Sequence, residues 1–170
     1  RLAKNGGKFF KQPDQKDLRR IENAARTWER EKERLPYPRQ MIPEGYNPNQ
    51  MIKHHYRFWH QMFNARQILC LGTLLQGIRG ESDAVLRDML LSAFVNLLNN
   101  MSEFCSYIWQ RDCTRQVFAR HDFHPKMQPC ESTVWGARIG MGSFIACMDA
   151  VIAGKEFGKR PADRRKPKKN

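Results

Sequence analysis

The stretch at 50–63, "QMIKHHYRFWHQMF", combines histidines and aromatic side chains at helical spacing. His55 with Trp59, and Tyr56 with His60, are four residues apart, so each pair would share a helix face. Such a cluster could bind a metal or stack against bases, but the sequence identifies no third metal ligand. Aromatic residues mainly supply buried area. We therefore predict a short core-packing helix with histidines at its rim, and no metal site.

Nucleophilic catalysis would need a cysteine or serine beside a base. Cys113 and Cys130 lie near His121 and His124 in sequence, but no catalytic motif surrounds either cysteine. The five cysteines never form a CxxC pair, which argues against a zinc ribbon or a disulfide framework in this chain. We expect no catalytic residue here and a reduced, cytoplasmic setting.

The segment "GARIGMGS" at 136–143 resembles a glycine-rich phosphate loop that runs into a helix. A nucleotide-binding fingerprint would need a preceding strand and a βαβ unit, and the sequence indicates neither. We interpret the segment as a turn that leads into a helix capped by Ser143.

A polar cluster follows the apolar stretch at 84–98. Asparagine, glutamine and arginine can hydrogen-bond base edges and phosphates. Two interpretations stay open: a helix terminus followed by a solvated loop, or a DNA-contacting surface. The side chains that favour the second are Asn96, Asn99, Asn100, Ser102, Glu103, Arg111, Arg115, Gln116, Arg120, His121 and Lys126.

Apolar spacing at three and four residues predicts the helices that would position these groups. The first covers 14–35 and begins at the cap Asp14. Two central helices follow, with Asn64 and Ser82 as their caps, and the spacing allows the second to continue, with a break, to residue 110. A last helix follows Ser143. We predict an all-α fold, an irregular bundle of five to six helices with one long polar loop at about 111–142, which allows one short strand near 116–119.

The same spacing predicts which side chains pack. For the first helix these are Leu18, Ile21, Ala25 and Trp28. For the last helix they are Ile145, Met148 and Ile152. For the second central helix they are Val85, Leu86, Met89, Leu90, Ala93, Phe94, Leu97 and Leu98. For the first central helix they are Ile68, Leu71, Leu74, Leu75 and Ile78, with Leu69 and Cys70 widening the face.

The net charge of +13 is concentrated at the two ends. Residues 1–40 carry 12 Lys or Arg against 6 Asp or Glu, whereas 41–158 are nearly balanced at 11 against 10. We predict a basic extended segment at 1–13, a single helical domain at 14–157 and a basic tail or linker at 158–170. That tail is either solvated or a phosphate-binding arm in which Arg164 and Arg165 contact nucleic acid. No apolar run suggests a membrane span.

Three stretches, in this order, carry a resemblance to a known family: "FNARQILCLGTLLQGI" (63–78), "LLSAFVNLLNNMSEFCSYIW" (90–109) and "VFARHDFHPKMQPCESTVWG" (117–136). Together they resemble the internal helical region of adenine-specific DNA methylases that carry a zinc ribbon and a domain of unknown function. The resemblance covers roughly residues 8–157. Ala65 stands where that family usually has proline, and Met127 and Pro129 depart from its aromatic and apolar character.

The resemblance implies a parent enzyme that transfers a methyl group from S-adenosylmethionine to the exocyclic amine of adenine. The chain contains no Pro-Pro pair, so the motif that holds the target amine is absent, as are the cofactor glycine motif and the zinc ribbon. The resemblance thus implies a non-catalytic insertion in a longer methyltransferase, with double-stranded DNA and the remaining domains of the parent as partners. The alternative is a structural or protein-interaction module within a phage-defence or DNA-modification complex.

Arg66 and Gln67 lie in the first turn of the first central helix. A cation there opposes the helix dipole, so we expect a compensating contact. The sequence predicts that both side chains face the asparagine-rich helix end or the "FARH" run at 118–121, forming an internal polar seam. Direct contact with a DNA phosphate is the alternative.

Overall fold

The computed structural model describes residues 11–110, 113–119, 130–136 and 142–161. Within these ranges the chain forms five α-helices, two short 3-10 helices and one two-stranded hairpin, so the fold is mainly α-helical. The helices are α1 (Gln15–Glu31), α2 (Pro48–Lys53), α3 (Ala65–Arg79), α4 (Ala84–Leu98) and α5 (Phe144–Lys159). The 3-10 helices are Trp59–Met62 and Val117–Ala119, and the strands are β1 (Ser106–Ile108) and β2 (Cys113–Arg115).

The longer helices pack in the order α1, α3, α4, α5. The main apolar cluster joins α3, α4 and α5, and its members Ala93, Leu97 and Met101 have no exposed surface. A smaller cluster joins α1 to α3 through Trp28, Leu35 and Ile68. Burial of these apolar side chains is the main force that holds the helices together.

Local capping signals set most helix starts as predicted. The Asp14 carboxylate accepts the Asp17 N–H, and the Asp17 carboxylate accepts the Asp14 N–H, which closes a capping box. Ser143 accepts the Ala146 N–H at the start of α5. The predicted cap Ser82 is wrong: Asp83 accepts the N–H groups of Val85 and Leu86 at 2.8 and 3.0 Å.

The predicted helix at 50–63 is broken in two. His55 has φ of 68°, in the left-handed region that ends a right-handed helix. The chain turns there, with the Tyr56 N–H donating to the Met51 carbonyl. A bridge between Met41 and Phe58 then pairs the chain with residues 32–47, the connector between α1 and α2, before the 3-10 helix at 59–62 begins.

The region after α4 also differs from the prediction. The helix ends at Leu98, and the chain forms β1 instead of a helical continuation. The strand expected near 116–119 lies earlier, at β2, which pairs antiparallel with β1 so that Tyr107 faces Thr114. Residues 117–119 form a 3-10 helix.

The predicted packing faces of α1, α3, α4 and α5 are each partly wrong. In α5 the buried residues are Phe144 and Cys147, one position before the predicted Ile145 and Met148. Ile145 and Ile152 are 43% and 46% exposed. Other residues placed on packing faces that are exposed in the structure are Leu18, Ile21, Cys70, Val85 and Leu86.

Candidate nucleic-acid interface

The predicted site residues Arg66 and Gln67 lie in the first turn of α3. The Asn64 side chain accepts the Gln67 N–H at 2.9 Å, and the Gln67 side chain accepts the Asn64 N–H at 3.0 Å. This reciprocal pair satisfies two amide groups that the helix itself cannot bond. Gln67 is only 1% exposed. Gln67 therefore serves the helix start, and its buried side chain presents almost no surface to DNA; the contact with DNA stays a prediction.

Arg66 is held by Glu131, which lies 65 positions later in the chain. The Arg66 Nε and Nη2 atoms donate to the two carboxylate oxygens of Glu131 at 2.8 and 2.6 Å. Asn64 Nδ2 adds a third hydrogen bond to that carboxylate at 3.0 Å. The paired carboxylate raises the pKa of Arg66 above its usual value. The bidentate geometry leaves Arg66 poorly placed to bind a phosphate.

The internal polar contact predicted for Arg66 exists, but with a different partner from the two that the sequence suggested. Glu131 brings a negative charge to the positive end of the α3 dipole, which compensates the unfavourable cation in the first turn. The sequence correctly predicted that the charge of Arg66 has a compensating contact. It did not predict that Glu131 provides this contact.

The segment 130–136 connects several elements beside this ion pair. The Cys130 thiol donates to the Cys105 carbonyl at 3.7 Å, before β1. The Ser132 and Thr114 hydroxyl groups lie 3.3 Å apart, which joins the segment to β2. The Val134 carbonyl accepts the Phe144 N–H at the start of α5. Part of the predicted polar loop is thus a structural link between α3, the hairpin and α5.

The remaining predicted DNA contacts are distributed differently. Arg115 belongs to β2, pairs with Ser106 across the hairpin and is partly buried. The others lie outside the described residues: Arg111, Arg120, His121, Lys126, Arg164 and Arg165.

A basic surface that the site prediction missed lies on α1. Trp28 is the buried residue of this helix. With 100° of rotation per residue, the side opposite Trp28 and one adjoining flank carry cations without an intervening carboxylate. We call this surface the basic face of α1, and its members are the exposed side chains Lys16, Arg19, Arg20, Arg26 and Arg30. From Lys16 to Arg30 the face extends about 21 Å, at 1.5 Å per residue. Helical spacing of the arginines was a signal that the sequence already contained.

The charges of this face are only partly compensated. Arg30 bonds Glu31 at 2.8 Å, and Arg20 lies 3.7 Å from Asp17. Arg26 donates at 2.6 Å to a neutral partner, the amide of Asn23. Lys16 and Arg19 form no ion pair with any residue that the structure describes. The face therefore keeps a net positive charge available to an external anion.

Other chemistries find little support in the described part of the chain. No group of three or more His, Cys, Asp or Glu side chains there could hold a metal ion. His60 points its Nδ1 at the Pro38 carbonyl, 3.2 Å away. Burial is the main cause that raises the pKa of the Cys130 thiol to about 11, so the neutral thiol, a poor nucleophile, prevails at neutral pH.

None of the helices in the described ranges is both long and apolar enough to cross a membrane. Comparison with known proteins returned no matching family, no matching curated protein and no matching solved structure.

Proposed function

We propose that this chain is a DNA-binding helical module of an S-adenosylmethionine-dependent DNA adenine methyltransferase, contributing DNA binding or target recognition and no catalytic residue. The basic face of α1 is the observation that carries the DNA-binding part. It offers five cations on one rigid element, and α1 is fixed to the rest of the domain through Trp28.

Contact with the DNA backbone is the mode that this chemistry favours. Lysine and arginine side chains gain binding free energy by releasing counterions condensed around the phosphates, regardless of base sequence. The exposed cations of this face would contact phosphates along one side of α1. Glu22 and Glu29 flank the face at one side, so binding would be restricted to one side of α1.

The resemblance of residues 8–157 to adenine-specific DNA methylases supports the methyltransferase part of the proposal. An enzyme of that class turns the target adenine out of the duplex to reach its amine. The module would hold the surrounding duplex by its phosphates while the catalytic domain of the longer protein binds the extruded base and S-adenosylmethionine. Phosphate contacts position a protein on DNA without specifying sequence, so base selection would fall to other residues.

Charge reversal on α1 tests the DNA-binding role. We expect the double variant Arg19→Glu, Arg26→Glu to bind a fluorescently labelled duplex much more weakly than the unmodified chain, with a shallower dependence of affinity on salt. Fluorescence anisotropy at two salt concentrations measures both quantities. The matched control is Lys53→Glu, Arg57→Glu, which changes the net charge equally at exposed positions outside α1. Equal losses in the two double variants would reject the basic face as the site.

A structural or protein-interaction module remains the second candidate, and exposed aromatic residues favour it. Trp109, at the end of β1, is 69% exposed, and Trp135 is 61% exposed. Tryptophan is enriched among residues that dominate protein interfaces. A chain that binds no DNA at low salt but co-elutes with the catalytic part of its parent protein would support this function over the first.

A further inference from the structure

A cavity of about 410 Å³ lies beneath the connector that follows α1. Its floor is formed by α3, through Leu71 and Leu75, and by the C-terminal half of α4, through Phe94 and Leu98. The connector forms its roof through Tyr37 and Gln40. This volume lies within the range of roughly 300–1,000 Å³ that is typical of small-molecule sites.

The roof is fixed in place. The Tyr37 ring makes edge contacts with Trp28 and His60, at centroid distances of 4.9 and 5.4 Å. The Arg39 guanidinium lies 4.5 Å from the centre of the same ring. The Trp59 N–H donates to the Gln40 carbonyl, which ties the connector to the chain before α3. A ligand would therefore meet a largely preformed site and would lose little affinity to ordering it.

The connector can approach α3 closely because Gly72 lies beneath it. A Cβ atom at this position would stand 3.3 Å from the Leu35 Cβ and 3.3 Å from the Pro36 carbonyl oxygen. These contacts are tight, and a larger side chain would push the roof away from the floor. The close packing of the connector over α3, which shapes the cavity, therefore requires glycine at position 72.

Arg79, in the last turn of α3, carries the only formal charge among the described residues that line the cavity. It forms no ion pair with another described residue. The other polar side chains in the lining are the Tyr37 hydroxyl and the Gln40 amide. An apolar space with one cation and no carboxylate is complementary to an apolar molecule with one negative group.

We propose that this cavity binds a small carboxylic acid with a medium-length apolar body. The body lies against the leucine and phenylalanine side chains of α3 and α4, and the carboxylate pairs with the Arg79 guanidinium. Arginine suits this role because its planar fork matches the two oxygens of a carboxylate. The site is separate from the basic face of α1, so the inference does not depend on DNA binding.

Isothermal titration with decanoate and with decylammonium tests the proposal, because the two probes share an alkyl chain and differ in the sign of the head group. We expect saturable binding of one decanoate per chain, and about tenfold weaker binding of decylammonium, the size of effect expected for a charge-assisted hydrogen bond. Arg79→Gln should weaken decanoate binding by a similar factor and remove the preference between the two probes.

Lys53→Gln is the control for the overall positive charge of the protein, since it removes one cation from an exposed position on α2. It should leave decanoate affinity unchanged. Leu75→Trp should fill the space and abolish binding, with circular dichroism confirming that the helices persist. The proposal is overturned if decanoate fails to saturate at one per chain, if both probes bind equally, or if Arg79→Gln and Lys53→Gln have the same effect.

Discussion

The starts of α1 and α3 both carry arginines, yet the structure uses them in opposite ways. At α3, Glu131 arrives from a distant part of the chain and accepts two hydrogen bonds from Arg66. On the basic face of α1, Lys16 and Arg19 have no carboxylate partner among the described residues, and Arg26 bonds an amide. The comparison shows what decides the role of a cation. Where the fold brings a carboxylate to it, the cation forms an ion pair within the protein; where it does not, the cation stays available to an external anion.

We expect the largest effect on stability from a substitution that weakens the packing of α1 against α3. Trp28 is 8% exposed and packs with Leu35, Ile68 and Tyr37. Trp28→Ala should lower the free energy of unfolding by about 3–5 kcal/mol, as expected for truncation of a large buried aromatic side chain. Urea denaturation followed by circular dichroism measures this loss. DNA affinity should also fall, because a detached α1 no longer presents its cations as part of a rigid domain.

Leu18→Ala is the control on the same helix. Leu18 is 44% exposed, so its truncation should change the free energy of unfolding by no more than about 0.5 kcal/mol. Similar losses for Trp28→Ala and Leu18→Ala would mean that α1 packs through its whole apolar stripe, contrary to the structure.

The Arg66–Glu131 pair should affect stability without affecting DNA. Its side chains are 44% and 25% exposed, so solvent screens the attraction. We expect Arg66→Ala and Glu131→Gln each to cost about 1 kcal/mol, allowing for a partly exposed pair and the helix dipole. In the double variant the two losses should be less than additive.

DNA affinity should change little in either variant of this pair. A fall in affinity for Arg66→Ala as large as that for Arg19→Ala would contradict the distinction between the two regions. Such a result would support the predicted contact between Arg66 and DNA.

Short-range signals made much of the fold predictable. Asp14, Asn64 and Ser143 cap their helices as the sequence indicated, because a cap depends on groups only a few residues away. The packing face of α3 was also predicted, with Ile68, Leu71 and Ile78 buried. In α5 the apolar residues permit two adjacent faces, and only contact with α4 decides which of them is buried.

Long-range partners were not predictable in the same way. No spacing rule links Arg66 to a glutamate 65 positions away. The pairing of β1 with β2 likewise replaces the helical continuation that the sequence allowed up to residue 110. The cations of the basic face of α1 recur at helical spacing in the sequence, whereas the predicted DNA contacts were concentrated in the polar loop after α4.

A single unpaired cation on α1 should have a smaller effect, visible in DNA binding and not in stability. Arg19→Ala should reduce the slope of log affinity against log salt by about one unit if this side chain neutralises one phosphate. Arg20→Ala should have a smaller effect, because Asp17 already lies 3.7 Å from Arg20. Equal slopes for the two variants would show that the ion pair with Asp17 does not decide which cations reach DNA.

The smallest expected effect concerns the carboxylate at the start of α1. The Lys11 ammonium group is the main cause that lowers the pKa of Asp14 to about 2 from an ordinary 3.8, and the Asp17 N–H contributes. A lowered pKa means that the folded state favours the charged carboxylate. Its stabilising contribution is therefore complete above about pH 4 and is lost as the pH falls through about 2.

Asp14→Asn isolates this charge, since asparagine is also a good helix cap. The variant should unfold at a slightly lower temperature than the unmodified chain at pH 7, and the difference should disappear near pH 2. A thermal melt followed at 222 nm by circular dichroism measures both midpoints. A difference that stays constant between pH 7 and pH 2 would mean that the cap acts only through hydrogen bonds. In that case the charges on the basic face of α1 would contribute to DNA binding, whereas the charge of Asp14 at the start of the helix would not contribute to stability.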